Sequence, residues 1–152
     1  MSIITEAYLF QGVEKTTLEH VREIAESKSH PTGVFLFHAG DPAAHLYLLE
    51  EGRVRLRAGG NGQVAYVLSE PGEVFGWSSM VAHPEYALSA ECVGPVKVTK
   101  LEKKALLHLL EKDTHGGFIF FRHLSELIGE RLAKAYQATI SVHGERAAKS
   151  YG

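Results

Sequence analysis

Between residues 34 and 101 the apolar residues arrive in short bursts, and this pattern restricts the fold more than any other feature of the chain. The bursts are 34–37, 46–49, 54–57, 64–68, 86–93 and 96–101. Turn-forming residues separate them: Gly40-Asp41-Pro42, Glu51-Gly52, Gly59-Gly60-Asn61-Gly62 and Pro71-Gly72. Runs this short, spaced about 8–12 residues apart, predict an antiparallel sandwich or barrel. Within Val54-Arg55-Leu56-Arg57 the alternation sets two aliphatic residues against two arginines, as in a strand with one wet face. With 45% apolar residues the 152-residue chain can build a real core, as one domain or one domain with an appendage.

On either side the period becomes helical. Thr16-Thr17-Leu18-Glu19 reads as a capping box, and Leu18, Val21, Ile24 and Ala25 predict an amphipathic helix over 17–28. His30-Pro31-Thr32-Gly33 breaks it. A short apolar piece, Ala7-Tyr8-Leu9-Phe10, precedes it and ends at Gly12. After residue 101, Leu106, Leu107, Leu109 and Leu110 predict a short helix that Thr114-His115-Gly116-Gly117 ends. The longest uninterrupted pattern then runs from Phe118 to about Gly144. Its stripe is Phe121, Leu124, Ile128, Leu132, Ala135, Thr139 and Val142, widened by Phe120 and Leu127. About 26 residues at 1.5 Å each make a rod roughly 40 Å long. A domain this small cannot cover such a rod, so Phe121, Leu124, Ile128, Leu132, Ala135 and Thr139 are expected to form a seam between two copies of the chain. The expected organisation is a β domain over 1–115, a dimerisation helix over 116–144 and a disordered tail over 145–152.

Net charge is −2, so no strong field draws the chain to nucleic acid or anionic lipid. The single cysteine, Cys92, excludes a disulfide framework and reads as a small buried apolar residue. No segment has the form of a signal peptide or a membrane span, so a soluble cytoplasmic protein is expected.

The stretch 71–93, PGEVFGWSSMVAHPEYALSAECV, is the candidate site. Its opening Gly-bounded turn could leave backbone N–H groups free to meet an anion. The side chains add an indole, a phenol and two hydroxyls, and no cation. Four motifs, in order, carry a resemblance: Ala39-Gly40-Asp41-Pro42-Ala43, then Leu46-Tyr47-Leu48-Leu49 with Glu51-Gly52, then Pro71-Gly72-Glu73-Val74-Phe75-Gly76, then Glu130-Arg131-Leu132. With them the chain resembles, over about 8–142, the cyclic nucleotide-binding domain of catabolite activator and Fnr-like regulators. The resemblance implies a mainly β fold with flanking helices: an antiparallel β-roll (double-stranded β-helix or jelly roll) with a long C-terminal helix.

In nucleotide-binding members a Glu after the second cassette Gly holds the ribose, and an Arg followed by Ser or Thr holds the cyclic phosphate. Here those positions carry Trp77, Tyr86 and Ala87, and the adenine-side pair on the long helix becomes Ala135 and Tyr136. Arg131 matches a polar base-side residue; without that likeness it reads as a helix arginine facing water. The altered cassette therefore comprises Gly72, Glu73, Phe75, Gly76, Trp77, Ser78, Ser79, Tyr86, Ala87 and Arg131. Either Trp77 fills the cavity as core, or Trp77, Tyr86, Ser78 and Ser79 line a slot for a less charged ligand. The resemblance implies a non-catalytic, cofactor-free sensing module that does not bind cAMP or cGMP usefully and acts as a homodimer. In the regulators a DNA-binding module follows the long helix; this sequence ends about there, so no direct DNA binding and action through a partner in trans are expected.

Two rival readings remain. One is a cAMP sensor with unusual anchors, its cation brought from elsewhere, as by Arg131. The other is a small metal-dependent cupin-like enzyme using His38 and His45 with Glu50 and Glu51, disfavoured because seven positions separate the two histidines. The remaining seven of the nine histidines are scattered, and no metal is expected. No Gly-x-Ser-x-Gly, Walker loop or Cys-x-x-Cys occurs.

Overall fold

The computed structural model describes residues 2–59 and 62–151, with side chains to Ile140. The expected turn at Gly60-Asn61 and the side chain of Val142 lie outside the described residues. Six antiparallel strands form a roll: β1 (Glu26–His30), β2 (Phe35–Phe37), β3 (His45–Arg57), β4 (Val64–Leu68), β5 (Val74–Phe75) and β6 (Ser89–Glu102). The order is β1-β6-β3-β4, with β2 also on β6 and β5 also on β3. Helices α1 (Ile3–Glu6), α2 (Lys15–Ile24), α3 (Lys103–Lys112) and α4 (Thr114–Tyr151) flank it. The antiparallel roll with flanking helices and a long C-terminal helix is the fold that the resemblance implied, and its short antiparallel strands are those the burst pattern predicted.

Two bursts on each side of a glycine are in fact one strand. β3 runs through Glu51-Gly52, and β6 runs through Gly94, with register shifts at residues 49–53 of β3. Gly52 (φ +92°) and Gly94 (φ +78°) lie in the left-handed region, so both strands bend without ending. A Cβ on Gly52 would sit 2.4 Å from the Pro95 carbonyl oxygen. The expected turn at Glu51-Gly52 is therefore a bulge: the partner backbone already occupies the space a side chain would need.

β3 separates two cores. Leu46 and Leu48 face the helices with Ile4, Phe10, Leu106, Phe120 and Leu124. Tyr47, Leu49, Val54 and Leu56 face the inside of the roll with Leu68, Phe75, Cys92 and Val98. Burial on both faces explains why this burst is continuous rather than alternating. Arg55 and Arg57 lie on the wetter face as expected, but they converge on Glu91 of β6, at 3.7 and 2.9 Å.

Three helix boundaries differ from expectation, each for a tertiary reason. α2 starts at Lys15 behind Glu14, with no capping side chain, so the Thr16–Glu19 box does not form. Thr17 instead turns inward and donates to Asp113 Oδ2 at 2.7 Å. α2 ends at Ile24 rather than residue 28, because Glu26–His30 pairs with residues 100–96 of β6. The Ser-Lys-Ser sequence of β1 carries no strand signal; the backbone of β6 recruits it. The Thr114-His115-Gly116-Gly117 stretch does not end a helix but opens α4. Asp113 Oδ1 accepts from the Gly116 N–H at 2.9 Å, which caps the new helix. A Cβ on Gly117 would sit 2.7 Å from the Leu110 carbonyl oxygen, so the glycine permits the tight α3–α4 corner.

α4 begins inside the core and leaves it. Phe120 and Leu124 are buried, with the Phe120 ring 5.4 Å from that of Phe10 in the 3-10 turn Tyr8–Phe10. Leu124, expected at a seam between copies, belongs to this monomer core because the 3-10 turn packs over it. Phe121 and Ile128 are partly buried against the same core. From Leu132 to Ile140 every residue is exposed, including Tyr136 (60%) and Ile140 (65%). The backbone remains helical to Tyr151, across the start of the tail expected to be disordered; 145–151 contains no proline to stop it.

Gly52→Ala should lower the unfolding free energy measured by urea titration by about 2 kcal/mol or more, from the left-handed backbone and the close Pro95 carbonyl. Asp113 is held below the usual carboxylate range by the Thr17 hydroxyl and then by the Gly116 N–H. A depressed native pKa contributes stability above the unfolded-state value, lost as pH falls through the folded value. Thr17→Val should therefore flatten the fall in stability on acid titration below about pH 4, measured by denaturant melts.

Candidate functional site

The site grows from the corner between β5 and the loop that carries Tyr86. Gly76 (φ +74°) follows β5 directly and turns the chain into a single 3-10 turn, Trp77–Ser79. A Cβ there would lie 3.2 Å from both the His45 carbonyl oxygen and the Tyr47 ring, so only glycine lets the turn approach β3 this closely. The loop returns through Pro84 and Glu85, and it is tied to the Gly40-Asp41-Pro42-Ala43 motif. Gly40 N–H donates to the Tyr86 carbonyl, Tyr86 N–H to the Asp41 carbonyl, and Ala43 N–H to the Pro84 carbonyl, at 2.9–3.0 Å.

Between these pieces lies a cavity of about 140 Å³. Six of the ten expected cassette residues line it: Gly76, Trp77, Ser78, Tyr86, Ala87 and Arg131. Phe37, Leu56 and Leu88 complete the wall. Phe37 and Leu56 were not expected, because in sequence they are ordinary strand residues and only the curl of the roll brings them to the site; Leu88 adjoins Ala87 within the expected 71–93 stretch. Trp77 is half-buried and packs against the helical core, yet it does not fill the cavity.

The other four expected residues are elsewhere. Phe75 is fully buried inside the roll, stacked 5.1 Å from the Tyr47 ring. Ser79 is fully buried and donates to the Gly76 carbonyl at 2.8 Å, which closes its own turn. Gly72 N–H donates to the Leu49 carbonyl at 2.8 Å. Glu73 Oε2 accepts from the Ser69 and Glu70 N–H groups, both at 2.9 Å. The Pro71-Gly72 turn thus uses these donors internally, and it is not an anion nest.

Tyr86 is locked. Its hydroxyl donates to the His45 carbonyl at 2.6 Å and accepts from the His45 N–H at 3.0 Å. Its ring stacks on Phe37 with centroids 3.8 Å apart. Burial raises the phenol pKa, against the pull of the His45 backbone, so the group stays neutral.

Arg131 corrects the sequence expectation most. It does not face water. Its guanidinium lies 4.5 Å from the Trp77 ring centroid and 4.7 Å from that of Tyr66. Nη2 donates to the Val74 carbonyl at 2.6 Å. Nη1 is buried and has no hydrogen-bond acceptor. Burial lowers the guanidinium pKa, and the adjacent Tyr66 hydroxyl, as neighbour and hydrogen-bonding group, and the Glu73 carboxylate partly offset this. Cation–π contact with two rings compensates the lost hydration. One helix residue therefore joins α4, β4, β5 and the cassette turn.

The histidines do not assemble. His38 lies 3.7 Å from Asp41 and stacks on Phe35, while His45 lies beside Tyr47. Among the described residues no three His, Cys, Asp or Glu side chains are grouped so as to hold a metal ion. No helix among them is long and apolar enough to cross a membrane.

Comparison with known proteins agrees with this architecture. The chain is 28% identical over 130 residues to the cyclic AMP receptor protein of Thermus thermophilus, covering 84% of this chain and 58% of that one. It is 26% identical over 106 residues to a CRP-like cAMP-activated global transcriptional regulator of Mycobacterium tuberculosis, covering 68% and 47%. The chain thus spans about half the length of these relatives. Among solved structures, a cyclic nucleotide-binding domain from Methylobacillus flagellatus superposes with a TM-score of 0.78 at 21% identity, over 91% of this chain and 79% of that one. The Thermus thermophilus catabolite activator protein superposes with a TM-score of 0.71 at 26% identity, over 90% and 63%. The sequence profile of the cyclic nucleotide-binding domain matches residues 27–113, more than half of the chain, which therefore belongs to the cyclic nucleotide-binding domain family.

Proposed function

We propose that this regulatory module senses something other than a cyclic nucleotide and that it works as a homodimer through α4, on a partner in trans. The observation that carries this reading is Tyr86. It stands where the resemblance places the phosphate-binding arginine, and both of its hydroxyl interactions are spent on the His45 backbone. Ala87 beside it has no hydroxyl, and Trp77 stands at the ribose-carboxylate position. Removing one partner of a buried charge pair costs about 2–5 kcal/mol. At about 1.4 kcal/mol per decade, that alone takes a micromolar site to about the millimolar range. The cavity, about 140 Å³, is also small for a purine, a ribose and a cyclic phosphate together.

A second reading has one observation in its favour. Arg131 Nη1 is buried without an acceptor, and a cyclic phosphate could supply one. That reading requires the slot to widen and the contact with Trp77 to break. Isothermal calorimetry separates the two: we expect cAMP and cGMP to give no dissociation constant tighter than about 1 mM. A low-micromolar value for either would establish the second reading instead.

The dimer is supported by the outer face of α4. Phe118, Leu132, Tyr136 and Ile140 are between 49% and 65% exposed, at spacings that keep them near one side of the helix. Covering each large apolar side chain is worth about 1.5–3 kcal/mol. The double variant Leu132→Glu/Ile140→Glu should raise the dimer dissociation constant at least about 100-fold, seen by sedimentation equilibrium. It should leave thermal stability of the roll unchanged, because neither residue touches its core.

A further inference from the structure

The wall of the slot decides the charge of what fits it. Among the described residues no carboxylate lines the cavity, so an organic cation meets no counter-charge there. Arg131 borders it but holds its terminal nitrogens back. Nη1 has no accessible surface, Nη2 is spent on the Val74 carbonyl, and the Trp77 and Tyr66 rings cover the guanidinium. The Tyr86 phenol is neutral and engaged with the His45 backbone. An ion of either sign entering this space gives up its hydration and gains no partner, which is the costliest form of burial. The wall therefore selects a neutral occupant.

Size and surface narrow the class further. The volume, about 140 Å³, is that of a one-ring site: an apolar cavity of about 150 Å³ holds a benzene molecule. Phe37, Trp77 and Tyr86 bring rings to the wall, and Leu56 and Leu88 bring aliphatic groups. A ring beside aromatic walls gains edge or face contacts beyond simple area burial. Ser78 carries the one lining hydroxyl not spent on the backbone, and Ala87, which is exposed, lies at the mouth. We propose that the slot binds a neutral single-ring aromatic molecule, its ring among Phe37, Leu56 and Trp77 and its polar substituent toward Ser78 and the mouth. A saturated ring is thicker and lacks the aromatic contacts; a carboxylate brings a charge with no partner; a nucleotide exceeds the space. This inference rests on the sensing role proposed above and names the ligand class for that same slot.

Benzyl alcohol is the probe, because it is uncharged and transparent where an indole is excited. Trp77 is the readout, because it is the only tryptophan in the chain and lines the slot. Titration of the full chain with benzyl alcohol should give a saturable change in indole emission, with a dissociation constant below about 2 mM. Benzoate, the same ring with a charge, should bind at least about tenfold more weakly. Cyclohexylmethanol, the saturated counterpart, should bind at least about threefold more weakly. Ala87→Phe fills the mouth from an exposed position, so it should weaken benzyl alcohol at least about tenfold while the melting temperature holds. The inference is overturned by the absence of a saturable response up to about 20 mM benzyl alcohol, by equal affinity for benzoate or for cyclohexylmethanol, or by full benzyl alcohol affinity in Ala87→Phe. The comparison among the three ligands uses the unaltered chain, so it decides the matter even where the variant does not fold. Tight cAMP binding in the same assay would overturn the proposed function itself; silence toward both cAMP and benzyl alcohol would overturn only the neutral aromatic ligand.

Discussion

The antiparallel pairing of β3 with β6 is the constraint on which the rest of the molecule depends. The two strands stay paired from His45–Glu102 to Arg57–Ser89, and they bend together at Gly52 and Gly94. Because β3 is buried on both faces, one strand divides the apolar residues into a helical core and a roll interior. Leu46 and Leu48 anchor the helices; Tyr47, Leu49, Val54 and Leu56 fill the roll. The site inherits its position from the same strand. His45 opens β3 and pins Tyr86, Tyr47 limits Gly76, and Leu56 near the far end lines the cavity.

Arg131 connects this frame to the long helix. It is the residue next to Leu132, so the last group to touch the slot and the first exposed apolar group of the outer α4 face are neighbours in sequence. Anything that changes how Arg131 sits against Trp77 and Val74 acts on the helix at the point where it leaves the core. Beyond that point the described helix leaves its own roll, and Leu132, Tyr136 and Ile140 are exposed.

Much of the fold was legible in the sequence, and the site was legible in part. The bursts located β2 and β4 nearly to the residue and showed which faces of β3 were wet. The helical stripes located α3 and most of α4. Within the cassette, Gly76, Trp77, Ser78, Tyr86 and Ala87 were found through the resemblance to the cyclic nucleotide-binding domain, which maps without a gap because they are close together in the chain. Leu56 and Phe37 were not, because no local pattern distinguishes a strand residue facing a cavity from one facing a core. The capping box at Thr16 failed for a related reason: Thr17 had a better partner nearly a hundred positions away, in Asp113.

What the sequence determined by itself was the class of architecture and the absence of a cationic side chain at positions 86 and 87. Both are local properties: periodicity sets whether a segment is strand or helix, and residue type sets whether a charge is available. The tertiary structure alone decided the status of Arg131. By spacing it is one of several polar residues on a helix that leaves the core, and only the resemblance marks it from Lys134. Only when α4 is laid across β4 and β5 do the Trp77 and Tyr66 rings cover it and the Val74 carbonyl take one of its nitrogens. Burial of a charge depends on which surfaces meet, and that is not written in the residues on either side of it.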